Sequence, residues 1–370
     1  MRFRCDKVAL FEGLSAASRA NGRQSSAGTV KLELIGHNLR FIGRDTDLTI
    51  EATIEVASIE EGVSVVPVSP TVDLVRSLPD GAVEFSADDS IANFSVGRSE
   101  FKVFVHPDID PPIIKAPTIE TAAISDEDFR EGIKQVLRAA SKDDSRDVMY
   151  TGVLFSAIDG GVRLVATDGI RLAVKDLIGL EIFSSESGGE IIVPSRALSE
   201  LEKIFQGAQK SASTVTLSIG KKEAVFEVAG VRMTTRIIDE RFRDYRQILQ
   251  PSYPVRVQVD RLALLDALRR LRRMARESRD VTHVRLEVSG SQLELSVKIP
   301  QVGQATEELE VNFEGEDLIT AFDPELLIEG VEAVVTDVVS IEFSEPNRPA
   351  CISNANSKDF QYLLMPIKIK

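Results

Sequence analysis

The side chains with the clearest chemical potential in this sequence are cations on helices. Arg269, Arg270, Arg273 and Arg276 recur through one stretch. At ~100° per residue they fall on one side of a helix whose other side carries Leu264, Leu265, Leu268 and Leu271. Lys134 and Arg138 repeat the arrangement opposite Phe129, Ile133, Val136, Leu137 and Ala140. Like charges at i, i+4 cost roughly a few tenths of a kcal/mol per pair, so concentrating them points to a use. That use is contact with phosphates, which is Coulombic and independent of base sequence. With no Trp and only four Tyr, base stacking on single strands is not the expected mode. The alternative is a solvated face, or arginines paired with acidic neighbours such as Glu277 and Asp280.

Other chemistry has little to stand on. His37, His106 and His283 are scattered, with no pair at metal-ligand spacing. There is no GxxxxGKS/T phosphate loop, no GxSxG elbow and no HExxH. Carboxylates are abundant, but no two are singled out for different environments, as a general acid and base require. Neither an enzyme nor a metal or cofactor site is expected. Cys5 and Cys351 read as small buried hydrophobes. Two cysteines make no disulfide framework, so a reducing cytoplasm is the expected compartment.

The chain has 370 residues and, with 44 basic against 58 acidic residues, a formal net charge of −14. At ~100–200 residues per domain this allows two to four domains. A hydrophobic share of 43% and a charged share of 28% are those of a globular protein. No apolar run approaches the ~18 residues of a spanning helix, and the start, MRFRCDKVALFEGL, carries charge through its apolar stretch, unlike a secretory signal.

The elements that must position the basic faces recur three times. Amphipathic helices are expected at Val8–Ala20, Asp126–Ala140 and Arg261–Ala275, each with an acidic-small-aliphatic triplet: Glu12-Gly13-Leu14, Glu131-Gly132-Ile133 and Asp266-Ala267-Leu268. Alternating strand-like segments follow each helix. A strand running into a second short helix comes next, with Pro67, Pro194 and Ala321 at equivalent positions, and strand-rich stretches close each unit. Units of this size are α+β domains rather than solenoid repeats. Proline-rich His106–Pro117 and Leu249–Pro254 read as linkers.

LVATDGIRLAV (Leu164–Val174), IIVPSRAL (Ile191–Leu198), RFRDYRQIL (Arg241–Leu249) and the terminal YLLMPIKIK (Tyr362–Lys370) closely resemble the bacterial sliding clamps, the β subunits of DNA polymerase III. The resemblance runs through the whole chain in order. It implies an α+β fold of three repeated clamp-type domains, 1–117, 118–250 and 251–370, each with two helices packed on antiparallel sheets. It further implies a head-to-tail dimeric ring with helices lining the hole. Such a ring is a processivity factor: it performs no chemistry, needs no cofactor or metal, encircles duplex DNA and tethers the DNA polymerase III catalytic subunit. The clamp loader and clamp-motif peptides from repair polymerases and ligase are the other implied partners, with no membrane. A clamp paralogue acting mainly as a peptide-binding module, with altered specificity such as inhibitor tolerance, is the alternative.

By residue-level match, the implied peptide pocket is lined by Tyr150, Thr167, Gly169, Ile170, Arg171 and Leu172, by Arg243, Gln247 and Ile248, and by Val281, Asp323 and Leu326. The tail adds Leu363, Leu364, Met365, Pro366, Ile367, Lys368 and Ile369. The DNA-facing set is Arg23, Lys134, Arg138, Arg269, Arg270 and Arg273, and the dimer contact is Phe101 and Val103 against Met274, Ala275 and Arg276. The chain departs from the family at Ile170, where His is usual; at Arg243, where Pro is usual; and at Asp323, where Asn is usual. Gln247 stands where a basic residue is common, Val281 and Leu326 stand where some members carry aromatics, and Arg276 replaces an aliphatic. Asn21–Val30 lacks the usual proline-containing segment.

Overall fold

The structure, a computed structural model, describes residues 1–21, 28–106, 121–143, 145–183, 189–207, 214–275 and 283–368. Arg23, Arg276, Val281 and Ile369 lie outside them, as do Glu277, Asp280 and most of the first linker. Among the described residues there are six α-helices: α1 (Lys7–Ser18), α2 (Val68–Ser77), α3 (Asp126–Leu137), α4 (Ser195–Gly207), α5 (Arg261–Ala275) and α6 (Pro324–Ala333). All strands pair antiparallel, in sheets of five, eight, nine and four strands.

The chain forms two compact units. The first joins Met1–Arg130 to Leu180–Gly189 and Arg196–Asp239; the second joins Glu131–Gly179 to Glu190–Ser195 and Glu240–Lys370. These units cut across the threefold repeat because sheets run continuously from one repeat to the next. In the first unit strand Val231–Arg236 pairs with Leu48–Glu55, setting Val231 opposite Ala52 and Met233 opposite Ile50. In the second, strand Phe360–Leu364 pairs with Arg171–Ile178, setting Phe360 opposite Lys175 and Leu363 opposite Leu172. We call these two lines of pairing seams.

The repeated triplets have a packing reason. A Cβ on Gly13 would sit 2.3 Å from the Phe41 ring, and one on Gly132 would sit 2.9 Å from Leu177, so each glycine lets its helix lie close on the sheet. Ala267 holds the same place in α5 and is fully buried. Asp6 starts α1 by accepting hydrogen bonds from the Val8 and Ala9 amides, at 2.7 and 3.3 Å, which satisfies donors the helix itself leaves free. Around α1 the first core gathers Leu10, Leu14, Phe3, Phe85 and Phe94, with Phe3 stacked on Phe85 at 4.8 Å and Phe94 edge-on at 5.0 Å.

Three expectations need adjusting. The first helix ends at Ser18, followed by a 3-10 turn at Arg19–Asn21, and the second ends at Leu137. The α1 sequence carries charge only at Lys7 and Glu12, and its exposed residues are Val8 and Glu12, so it lacks the basic stripe of α5. Pro67 and Pro194 each stand directly before a helix, but the third-repeat counterpart is Asp323 rather than Ala321. Asp323 caps α6 by accepting from the Glu325 and Leu326 amides at 2.8 and 3.2 Å.

Close backbone approach is most severe at Gly43, where a Cβ would lie 1.8 Å from the Ala17 carbonyl oxygen. Backbone cannot swing away as a flexible side chain can. Gly43→Ala is therefore expected to destabilise by about 1–3 kcal/mol. Chemical denaturation checks this, and an unchanged midpoint would refute it.

Candidate peptide-binding site and basic face

The candidate pocket is built in the second unit from one turn, one tail and one helix start. In the turn Asp168 accepts from the Ile170 and Arg171 amides, both at 3.0 Å. Thr167 accepts from the Gly169 amide at 3.1 Å and donates to the Arg171 carbonyl at 2.5 Å. Gly169 has φ +90°, a conformation that favours glycine. The chain end then crosses this turn: the Met365 amide donates to the Ile170 carbonyl at 3.0 Å, and the Ile367 amide donates to the Ala321 carbonyl at 2.8 Å. The tail thereby ties the turn to the strand that leads into α6.

Above the turn, Tyr150 lies in a 3-10 turn, Val148–Thr151. The Arg243 guanidinium sits over its ring at 5.3 Å and donates to Asp147 at 2.8 Å. Ile170, Ile248 and Met365 are 45, 47 and 44% exposed, which offers apolar surface suited to anchoring side chains. Gln247 donates to Asp244 at 3.1 Å, and Lys368 is exposed. Pro366, Ile367, Leu326 and Asp323 are half-buried.

Four expected pocket residues are placed differently. Leu172, Leu363 and Leu364 are buried within the seam, so they support the floor from beneath. Arg171 is 8% exposed and turned inward. Its Nε donates to Asp168 at 3.0 Å, and its Nη1 donates to Glu329 and, at 3.3 Å, to the Tyr362 hydroxyl. Tyr362 in turn donates to the Leu326 carbonyl at 3.0 Å. Burial works against the guanidinium charge, but Tyr362 and Glu329 outweigh it and hold Arg171 above its ordinary value. Burial pushes the Tyr362 phenol up. The network fixes the distance between turn, tail strand and α6.

The basic face is real but largely paired. Arg138 and Arg269 share Glu332, at 2.9 and 3.0 Å. Burial disfavours the Glu332 charge, yet the two guanidiniums prevail and hold its carboxyl below the usual range. Arg270 grips Glu307 with two hydrogen bonds, at 2.7 and 2.8 Å, and Arg272 meets Glu325 at 3.0 Å. Lys134 and Arg273 are exposed. Glu332, Glu307 and Glu325 come from other elements, and Asp266 on α5 itself lies 3.7 Å from Arg269.

At the expected ring contact, strand Ser99–Phe104 is an edge of the five-stranded sheet. Phe101 and Val103 lean on the first core, and Phe104, on the opposite face, is 77% exposed. Ala275 is a correction: it continues the apolar side of α5 after Leu268 and Leu271 and is buried, so it has little surface to offer. Met274 packs near Gly303. Both cysteines are buried, and burial pushes their thiols up to about 12.

Comparison with known proteins settles the family. Residues 1–115 match the N-terminal domain of the DNA polymerase III beta subunit, 123–244 its central domain and 247–368 its C-terminal domain. The chain belongs to the DNA polymerase III beta subunit family. It is 26% identical to the beta sliding clamp of Synechocystis over the full length of both chains. It is 28% identical to that of Synechococcus elongatus, covering 94% of this chain and 90% of the other. Its fold matches the beta subunit of Thermotoga maritima with a TM-score of 0.90 at 24% identity, covering both chains fully. A Pseudomonas aeruginosa sliding clamp bound to griselimycin matches with a TM-score of 0.91 at 25% identity, again over both full chains. This is therefore a sliding clamp, a non-catalytic subunit that serves DNA polymerase III in replication.

Sequence reasoning missed three residues of the candidate pocket's framework, Asp168, Tyr362 and Glu329. Asp168 and Tyr362 lie inside the strings ATDGIR and YLLMPI, which are the signal that points to them. Glu329 carried no signal, since it meets Arg171 from 158 residues away.

Proposed function

We propose that two copies of this clamp close head-to-tail into a ring around duplex DNA, with domains 1–117, 118–250 and 251–370 in each copy. Lys134 and Arg273, with Arg138, Arg269 and Arg270 as paired neighbours, face the phosphates inside the hole. Ring closure uses the edge strand carrying Phe101, Val103 and the exposed Phe104. The ring holds the DNA polymerase III catalytic subunit at the template, so each re-encounter is intramolecular and effective concentration replaces affinity. The clamp loader, repair polymerases and ligase share the same docking site. Among the described residues no helix is long and apolar enough to cross a membrane. A role in replication supports a cytoplasmic location. The paralogue alternative has no specific observation in its favour.

The observation that carries this reading is the tail crossing the Asp168–Arg171 turn, which leaves Ile170 and Met365 exposed side by side. A partner peptide lays its apolar side chains there and takes direction from polar groups at the rim. A ligand of the type seen on the P. aeruginosa clamp, griselimycin, is expected to compete for it. Fluorescence anisotropy with the C-terminal peptide of the cognate polymerase tests the site. Met365→Ala with Ile170→Ala is expected to weaken binding at least about tenfold, or ~1.4 kcal/mol. Unchanged affinity would remove the pocket. Leu172 is a poorer target, because truncating a buried leucine also costs stability.

A further inference from the structure

The two seams are built from matching parts, and only one of them is filled. Val231 and Phe360 are the first residues of their incoming strands and pair with Ala52 and Lys175. The Glu12-Gly13 and Glu131-Gly132 pairs align α1 with α3, so Ala16 corresponds to Gln135 and Arg19 to Arg138. The starts of α4 and α6 align Lys203 with Glu332.

In the second unit this space is closed. Lys175 is buried, bonded to Asp359 and 3.9 Å from Glu131. Gln135 donates to the Ala333 carbonyl at 2.8 Å, and Arg138 pairs with Glu332. In the first unit Ala52, Ala16 and Val231 stand where Lys175, Gln135 and Phe360 stand in the second. Three shorter side chains leave an open cleft of about 610 Å³ between α1, α4 and the seam, within the ~300–1,000 Å³ of small-molecule sites.

The charge changes with the shape. The Arg138–Glu332 ion pair of the second unit becomes two cations, Arg19 and Lys203. They share the Glu200 carboxylate, at 3.7 and 2.6 Å, and the exposed Glu12 also lines the cleft. The floor is the margin of the first core: Phe11, Ala16 and Val231 are only partly buried against it, and the Arg76 guanidinium lies over the Phe11 ring at 5.4 Å. The outward side of α1 bears no basic stripe of its own.

We propose that this cleft binds a small amphipathic anion: an aromatic or branched apolar body over Phe11, Ala16, Ala52 and Val231, with one sulfonate, carboxylate or phosphate group at Arg19 and Lys203. The site stands apart from the peptide pocket and does not depend on that reading.

Anilinonaphthalene sulfonate has this chemistry and brightens in apolar surroundings. Titrated against the full chain, it is expected to show saturable single-site fluorescence. An excess of the polymerase peptide is expected to leave that signal in place. Ala16→Gln with Ala52→Lys copies the filling of the second seam and is expected to raise the dissociation constant about tenfold or more. Lys203→Glu restores the ion pair with Arg19 and is expected to do the same in low salt. Circular dichroism melts report whether the variants are folded; should the double variant fail to fold, Lys203→Glu decides alone. No saturable binding to the unaltered chain, displacement of the probe by the peptide, or undiminished binding to folded Lys203→Glu would each overturn the proposal.

Discussion

Replacing Arg171 with alanine is expected to destabilise the second unit by about 3–5 kcal/mol and to abolish peptide capture with it. The magnitude follows from what the substitution leaves behind. Removing one partner from a buried ionic cluster strands the others, at ~3–5 kcal/mol. Here the stranded groups are Asp168, which also holds the turn, and Glu329 on α6. The Tyr362 hydroxyl loses one of its two partners as well. The turn bearing Ile170, the strand leading to Met365 and the start of α6 would then be free to separate. Arg171→Lys keeps the charge but not the fork, so it is expected to fold better than Arg171→Ala while still binding peptide weakly. Denaturation midpoints and peptide anisotropy on both variants check this. A folded Arg171→Ala chain with full affinity would show that the network does not position the site.

Reversing the two exposed cations, Lys134→Glu with Arg273→Glu, is expected to weaken retention on duplex DNA by about two powers of ten at moderate salt and to lower the salt slope by about 2. The choice of residues rests on the pairing. Arg138 and Arg269 are committed to Glu332, and Arg270 to Glu307. Reversing any of these would set carboxylate against carboxylate and confound stability with DNA contact. Lys134 and Arg273 lie on the same helices and are exposed. A loading assay on circular DNA, repeated across salt concentrations, reads the effect. Unchanged retention and an unchanged slope would mean that the basic face does not meet phosphate.

Much of the clamp's outline was legible in one sequence because it is written in local periods. The leucine side of α5 and its arginine side need only ~3.6 residues per turn to be seen, and the helix runs over the expected residues, Arg261–Ala275. The recurrence of Gly13, Gly132 and Ala267 was legible as a repeat, and the structure adds its reason, close helix-sheet packing. The exposed apolar tail at Met365 and the turn at Gly169 were found through a resemblance carried by their motifs. Residue type did not reveal that Arg171, Leu172, Leu363, Leu364 and Ala275 face inward, nor how few charges the outward side of α1 carries.

What the sequence determined by itself was the threefold order of elements, the absence of recognisable catalytic chemistry and the segregation of positive charge onto helix faces within an acidic chain. The tertiary structure alone decided which charges pair among the described residues and which seam stays open. Glu332 reaches Arg138 from 194 residues away, and Tyr362 reaches Arg171 from 191. Ala52 becomes a cavity wall only because Val231 is laid beside it. The reason is physical: helix and strand periods are set by neighbours along the chain, whereas ion pairing and cavity volume depend on which distant segments are brought together, and that is a property of packing.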